Sequence, residues 1–432
     1  MSSTSSLHKL DGGNGSSASP LSSTPSSASM LPWSDQFNHN YITDRGVFAL
    51  KEHKYNGRDS SILYNKVLRP LAIHLVERYV PTWVAPNVLT LVGLAFTIAG
   101  FIPIYSHCRA MYEPAPTWMY VWAAFCLFAY QTLDNMDGVQ ARRTGTSSPF
   151  GQLLDHGCDA LNATIATATF AVVLQLGHMN AIRLICCTYA VFFMTTWDEY
   201  YTGEMHLAVV NGADEGITVV WMLYLATAVI GPEMWDGFWY EGANAGGHIV
   251  LYVTFAGAII ACLDALRRVY TRFRRQAQLP MPAHIQGGFS GALLTLFPAA
   301  FIIFMALWWI CIPVANEYYA PKGNLYVPFG AVGLLFALTV CKLILSHMCR
   351  MPYPAFHRPL LLLFLPLINR HLGVRFTGEP YYEEGVAGVV TLLLALAAFG
   401  HYVYFATHQI TSALQINVLT IPHDKPGSAT TV

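Results

Sequence analysis

From residue 84 to residue 407 the sequence is a succession of apolar stretches, most of them near the ~20 residues an α-helix needs to cross a bilayer. They fall near 86–106, 117–134, 160–177, 181–197, 216–231, 246–265, 288–313, 325–346, 358–369 and 386–407. A chain built this way has few folds open to it. Backbone N–H and C=O groups surrounded by lipid must find partners within their own segment, so each stretch is expected to be helical. Composition agrees: 54% of the 432 residues are hydrophobic and 11% are charged, where a soluble domain carries roughly 25% charged residues. The expected fold is an all-α polytopic membrane protein with about ten transmembrane helices. The ninth stretch is short and either crosses fully or re-enters.

The remainder divides around this array. Residues 1–45 are rich in Ser, Thr, Gly and Pro, with no apolar run long enough for a signal-peptide core, and are expected to be a disordered cytosolic tail. Residues 46–82 mix Ile62, Leu63, Val67, Leu68, Leu71, Ile73, Leu75 and Val76 with Lys66, Arg69, Glu77 and Arg78. That pattern predicts an N-terminal interfacial amphipathic helix on the membrane surface. A catalytic core over 83–231, further transmembrane helices over 232–410 and a cytosolic tail over 411–432 complete the division. A net charge of −1 gives no basis for nucleic-acid binding. The nine cysteines are odd in number, scattered and without a CxxC pair, which predicts buried free thiols.

Orientation follows from the basic residues of the short loops. Arg142 and Arg143 follow the second stretch, and Arg267, Arg268, Arg272, Arg274 and Arg275 follow the sixth. Lys342, Arg350 and Arg358 lie around the end of the eighth. Ten alternating spans place all of these on one side, with both termini cytosolic. The acidic loop carrying Glu233, Asp236 and Glu241 falls on the other.

Ionisable residues inside a membrane are costly and mark function. They are concentrated in two consecutive stretches, where Asp134 and Asp137 are followed by Asp155 and Asp159. Each pair projects from one helical face, because residues three or four apart are neighbours on a helix. Consecutive antiparallel spans let the two faces oppose each other. Unit charges 4 Å apart repel by about 4 kcal/mol at an effective dielectric of 20, so the carboxylates need protons or cations between them. An oxygen-only set suits two Mg²⁺ or Mn²⁺ ions, which recruit phosphates and clamp a phosphoryl group for in-line displacement. Gly138 and Gly151 remove side chains where a nucleotide would lie against backbone, and Arg142 offers a fork of donors to phosphate. Taken alone, an intramembrane Asp pair also serves proton relays and sodium sites.

The run Asp134, Asp137, Gly138, Ala141, Arg142, Gly151, Asp155, Asp159 fills the pattern D-x2-D-G-x2-A-R-x8-G-x3-D-x3-D. It resembles that of the CDP-alcohol phosphotransferase (phosphatidyltransferase) family. The segments 54–63, 83–90, 141–144, 155–159 and 197–203 are similar to its eukaryotic cholinephosphotransferase and ethanolaminephosphotransferase branch. The resemblance implies a membrane enzyme that moves a phospho-alcohol from CDP-choline or CDP-ethanolamine to diacylglycerol and releases CMP. It implies that Asp134, Asp137, Asp155 and Asp159 bind two divalent metals. Asn87, Gly138, Ala141, Arg142 and Gly151 match positions that line the CDP site, and His156 matches the proton acceptor. A histidine titrating near 6.5 suits that task; Asp159 is the rival base. The resemblance further implies a homodimer in the endoplasmic reticulum membrane, with the Golgi membrane as the alternative.

Weaker signals lie downstream. Trp197, Asp198 and Glu215 are candidates for head-group or lipid contact; Trp197 also fits an aromatic interface belt, and Glu215 a helix N-terminus. Two other functions stay open on the residues alone. One is a CDP-diacylglycerol-dependent phosphatidyltransferase of the phosphatidylinositol-synthase type. The other is an ion-coupled transporter, which would place its carboxylates near the midplane at repeat-related positions.

Overall fold

The computed structural model describes residues 40–421, apart from 209, 237–243, 276–281, 283, 286, 312–325 and 379. The tail over residues 1–39, the acidic residue Glu241 and the last eleven residues therefore lie outside the described residues. Within them the chain is almost wholly helical. The helices that matter here are α1 (Asp44–Glu52), α2 (Arg69–Tyr79), α3 (Pro86–His107), α4 (Thr117–Thr144), α5 (Pro149–Val173), α6 (Gly177–Thr202) and α7 (Ile217–Ile230). They are followed by α8 (Ala245–Arg274), α9 (Gly288–Leu294), α10 (Phe297–Cys311), α11 (Tyr326–Met348), α12 (Phe364–Thr377) and α13 (Glu384–Leu414).

All ten expected stretches are found as helix or, for the seventh and ninth, as helix with a break. The ninth opens with a 3-10 turn (Arg358–Leu363) and continues as α12, so the ordered segment reaches 20 residues rather than the dozen legible as apolar. Among the described residues, eight segments are both long and apolar enough to cross a membrane. The two of the ten outside that set are α4 and α5, which carry the aspartates. At 28 residues α4 is about 42 Å long, longer than the ~30 Å hydrocarbon core.

The single interfacial helix expected over 46–82 is divided. Helix α1 is capped by Thr43, whose hydroxyl accepts from the Gly46 N–H at 3.1 Å. The chain then leaves helix at His53 and forms a short strand, β1 (Gly57–Asp59). This strand pairs in parallel with β2 (Met205–Leu207), with Gly57 opposite Met205 and Asp59 opposite Leu207. Helix α2 follows and is bolted to α4. Arg143 donates to the Val76 and Val80 carbonyls, both at 2.8 Å, and Gln140 donates to those of Pro81 and Val84 at 3.0 and 2.9 Å. These side chains tie the end of α2 and the turn after it to α4 at a point where intrahelical donors run out.

The core is centred on α11, most of which is buried against α5, α6, α10 and α13. Tyr189 stacks on Phe336 at a ring separation of 3.9 Å, and a Cβ at Gly333 would meet Thr164 at 2.6 Å, so α5 and α11 approach closely. On the other flank α3 packs along α4, and Gly100 leaves room for Cys126 there. Small residues at helix contacts are how membrane helices gain packing energy without a hydrophobic effect between them. The eight described cysteines are free, seven of them buried, as the scattered pattern implied.

Candidate active site

The acidic residues lie about two to three turns inside the facing ends of the two helices, Asp134 and Asp137 toward the end of α4 and Asp155 and Asp159 toward the start of α5, and the turn between these helices has a local cause. Gly145 adopts a left-handed conformation (φ 65°), and the N–H groups of Gly145 and Thr146 close α4 on the Arg142 and Ala141 carbonyls. Glycine takes this conformation without a Cβ clash. Three residues on, the Ser148 hydroxyl accepts from the Gly151 N–H at 3.1 Å and Pro149 occupies the first helical position of α5, a favoured start for a helix. The short link returns the chain antiparallel, and the two acidic faces meet.

They meet as two overlapping groups. Ligand atoms of Asp134, Asp137 and Asp155 all lie within 4.8 Å of one another, and so do those of Asp155, His156 and Asp159. Asp155 belongs to both. Its Oδ1 is buried and without a hydrogen-bond partner, a costly state for a carboxylate oxygen unless a cation meets it. Two other carboxylates are steered by hydroxyls. Thr90 of α3 donates to Asp137, and Tyr130, one turn before Asp134 on α4, donates to Asp159. Such partners orient metal ligands and hold their remaining lone pairs in place. An all-oxygen carboxylate set with one orphaned oxygen fits hard divalent cations.

His156 is buried beside this cluster. Its Nδ1 lies 3.1 Å from the Gln152 carbonyl and 3.6 Å from Asp155 Oδ2. A carbonyl only accepts, so Nδ1 carries the proton and Nε2 is left as the basic nitrogen. Behind it, the Gln152 side chain donates to Glu199 Oε1 at 3.1 Å and accepts from His53 Nε2 at 2.8 Å. His347 stands 3.8 Å from the same Glu199 oxygen. Burial lowers the pKa of His53 from its ordinary value, against the hydrogen bond to Gln152. Helices α5, α6 and α11 and the end of α1 are thereby joined at the back of His156.

The remaining expected CDP contacts lie around the same end. Asn87 is the second residue of α3, and its Oδ1 would be 3.5 Å from a Cβ placed at Gly151. Arg142 is exposed and folds back over Gly138, where a Cβ would stand 3.4 Å from its guanidinium. Ala141 is half-buried on the intervening turn.

The three downstream candidates have other partners. Trp197 is wholly buried and donates to Thr295 at 2.9 Å. Asp198 is also fully buried and accepts from Arg268 Nε at 2.6 Å, with His206 at 3.7 Å. Glu215 takes the Ser61 hydroxyl at 2.6 Å on one oxygen and the Asn211 N–H at 3.0 Å on the other, which fastens the segment after β1 to the loop before α7. Among the described residues, none of the three bonds to the four aspartates.

Thr90, Tyr130, Gln152 and Glu199 were missed as site residues in the sequence. Spacing held a partial signal for two of them: Tyr130 is four before Asp134, and Gln152 is four before His156, so each shares a face with a candidate. Thr90 and Glu199 lie on other helices, within the segments 83–90 and 197–203 that carry the family resemblance, but no spacing ties them to the aspartates or His156.

Comparison with known proteins places the chain in a family. Residues 83–239 match the family model described as CDP-alcohol phosphatidyltransferase. The chain is 31% identical to a CDP-alcohol phosphatidyltransferase class-I family protein 2 of Dictyostelium discoideum over 385 residues, 89% of this chain and 88% of that one. It is 30% identical to choline/ethanolaminephosphotransferase 2 of Arabidopsis thaliana, covering 87% and 97%. With cholinephosphotransferase 1 of Saccharomyces cerevisiae identity is 27%, covering 89% and 99%. A match of this extent, together with a complete acidic motif folded into one cluster, makes the chain a member of the CDP-alcohol phosphatidyltransferase family.

Proposed function

We propose that this multi-pass membrane protein transfers phosphoethanolamine, phosphocholine or both from the CDP-alcohol to the hydroxyl of diacylglycerol, forming the phosphatidyl-alcohol and CMP. The observation that carries this is the pair of acidic groups sharing Asp155, set beside a buried histidine with one free basic nitrogen. Relatives named as choline- or choline/ethanolaminephosphotransferases match nearly their whole length. The ion-coupled transporter loses support, because relatives named as phosphotransferases match over most of this chain.

Asp134, Asp137, Asp155 and Asp159 would hold two Mg²⁺ or Mn²⁺ ions. When bound, these supply positive charge to the two phosphates of the CDP-alcohol. Thr90 and Tyr130 hold Asp137 and Asp159 in place for that purpose. Arg142, exposed at the rim, neutralises phosphate charge from the aqueous side. His156 Nε2 takes the proton of the glycerol hydroxyl as its oxygen bonds to the β-phosphorus. The bond from the β-phosphorus to the bridging oxygen breaks, and CMP departs with that electron pair. The Nδ1–H···O=C bond to Gln152 keeps the imidazole in the tautomer this step needs. Catalysis of phosphoryl transfer rests mainly on such positioning and charge.

A site at the ends of α4 and α5 lets a nucleotide approach from water and a lipid hydroxyl from the bilayer. The basic residues near this end support a cytosolic face, and the family resemblance supports a homodimer in the endoplasmic reticulum membrane. The reaction is tested with membranes containing the protein, diacylglycerol, Mg²⁺ and radiolabelled CDP-choline or CDP-ethanolamine. Labelled phospholipid and stoichiometric CMP are expected; no labelled lipid from either donor overturns the reading.

A further inference from the structure

The segment after the last helix returns to the site. Gln415 takes a left-handed conformation (φ 52°), and the Ile416 N–H closes α13 on the Thr411 carbonyl at 3.2 Å. The chain then leaves helix and bends at Val418 and Leu419. Ile416 and Val418 turn inward against the core while Asn417 and Leu419 face out. Thr420 forms an antiparallel bridge with Val84, just ahead of α3. Between these points the Val418 carbonyl accepts a hydrogen bond from Asn87 Nδ2 at 2.7 Å.

That bond fixes more than position. A carbonyl cannot donate, so the Asn87 atom facing it is the amide nitrogen and the other, facing Gly151, is the oxygen. Without the Val418 carbonyl, the two amide orientations would differ little in shape. Asn87 is 9% exposed, so it is largely shielded from water at this contact.

We propose that residues 416–421 are part of the nucleotide site, holding the Asn87 carboxamide so that its oxygen, and not its nitrogen, faces the bound nucleotide. The proposal rests on the reading of Asn87 as a CDP contact. Held this way, Asn87 takes a hydrogen bond from a donor on the nucleotide and disfavours an acceptor at the same place. CMP offers two kinds of donor, the cytosine amino group and the ribose hydroxyls. Uracil places a carbonyl where cytosine has its amine. The segment is a positioning element, acting through Asn87.

The test compares the full chain with chains ended after Ile421 and after Gln415, each also carrying N87A, in lipid nanodiscs. Initial rates are measured against CDP-ethanolamine and CDP-choline, with CMP, UMP and 2′-deoxy-CMP as inhibitors. Ending after Ile421 leaves all constants unchanged. Ending after Gln415 raises KM for the CDP-alcohol about five- to tenfold, the worth of one hydrogen bond. It leaves kcat and the KM for diacylglycerol within about twofold. It also narrows the preference for CMP over UMP if the amine is read, or over 2′-deoxy-CMP if the ribose is read. In the N87A background the same shortening adds little, a non-additivity that loss of a merely structural segment would not produce. If the short chain does not fold, I416S combined with V418S in the full chain releases the segment and gives the same KM rise. An unchanged KM for the CDP-alcohol on releasing the segment, or full additivity with N87A, overturns the proposal. Failure of the intact protein to make labelled phospholipid from either donor would instead overturn the reading on which it rests.

Discussion

His156 points its Nδ1 at the carbonyl of Gln152, one turn earlier on α5 and 3.1 Å away. The bond leaves Nε2 as the basic nitrogen of a buried ring. Replacing His156 with Ala is expected to lower kcat by about 10²- to 10⁴-fold, the range of general-base contributions. KM for the CDP-alcohol stays nearly constant, as rates in nanodiscs with both substrates varied will show.

Thr90 donates its hydroxyl to Asp137 across the α3–α4 contact. Thr90→Val keeps the shape and removes the donor. The divalent-cation concentration for half-maximal rate should rise about 10- to 100-fold, the usual effect of losing a partner behind a metal ligand. A titration of activity with Mg²⁺, and of metal binding by calorimetry, checks this.

Asp198 is fully buried and held by Arg268. Removing one partner of a buried ion pair strands the other and costs about 3–5 kcal/mol. Arg268→Met should therefore lower the thermal midpoint of the purified protein markedly. At temperatures well below that midpoint the KM for each CDP-alcohol should be unchanged, because Asp198 lies outside the aspartate cluster. A selective loss of affinity for one head group would instead support the head-group role expected from sequence.

His357 is 3% exposed, and burial, aided by nearby Lys342, holds its pKa down to about 3. It is neutral in the fold, whereas in the unfolded chain it takes a proton below about pH 6.5. Stability from this group is thus full above pH 6.5 and falls as pH drops below it, by up to about 1.4 kcal/mol per pH unit. Thermal midpoints measured from pH 7.5 to 5.0 should decline, and less steeply in His357→Gln.

Much of this was legible in the chain because the controlling interactions are local. The 3.6-residue repeat puts Asp134 with Asp137, and Asp155 with Asp159, on single faces. The turn that brings those faces together is made within the few residues between the pairs, by Gly145, Ser148 and Pro149. The start of α5 was not legible from hydropathy: the helix begins at Pro149, not near residue 160, because its first three turns carry the polar residues Gln152, Asp155, His156 and Asp159, of which Gln152 and Asp159 bond to neighbouring helices. The break in the N-terminal region escaped for a related reason, since β1 exists by pairing with a strand about 150 residues away. The contact of Val418 with Asn87 spans 331 residues and involves a backbone carbonyl, for which side-chain identity carries no signal.

The central claim is that four aspartates at the junction of α4 and α5 act by binding divalent cations. The most direct measurement is the rate of labelled phospholipid formation by purified protein in excess chelator, then with Mg²⁺ or Mn²⁺ restored, alongside Asp155→Ala and Asp159→Ala. The account predicts no product in chelator, recovery on adding either ion, and inserted, folded variants that stay inactive at every ion concentration. Full turnover in chelator, or near-normal activity in either variant, would contradict it.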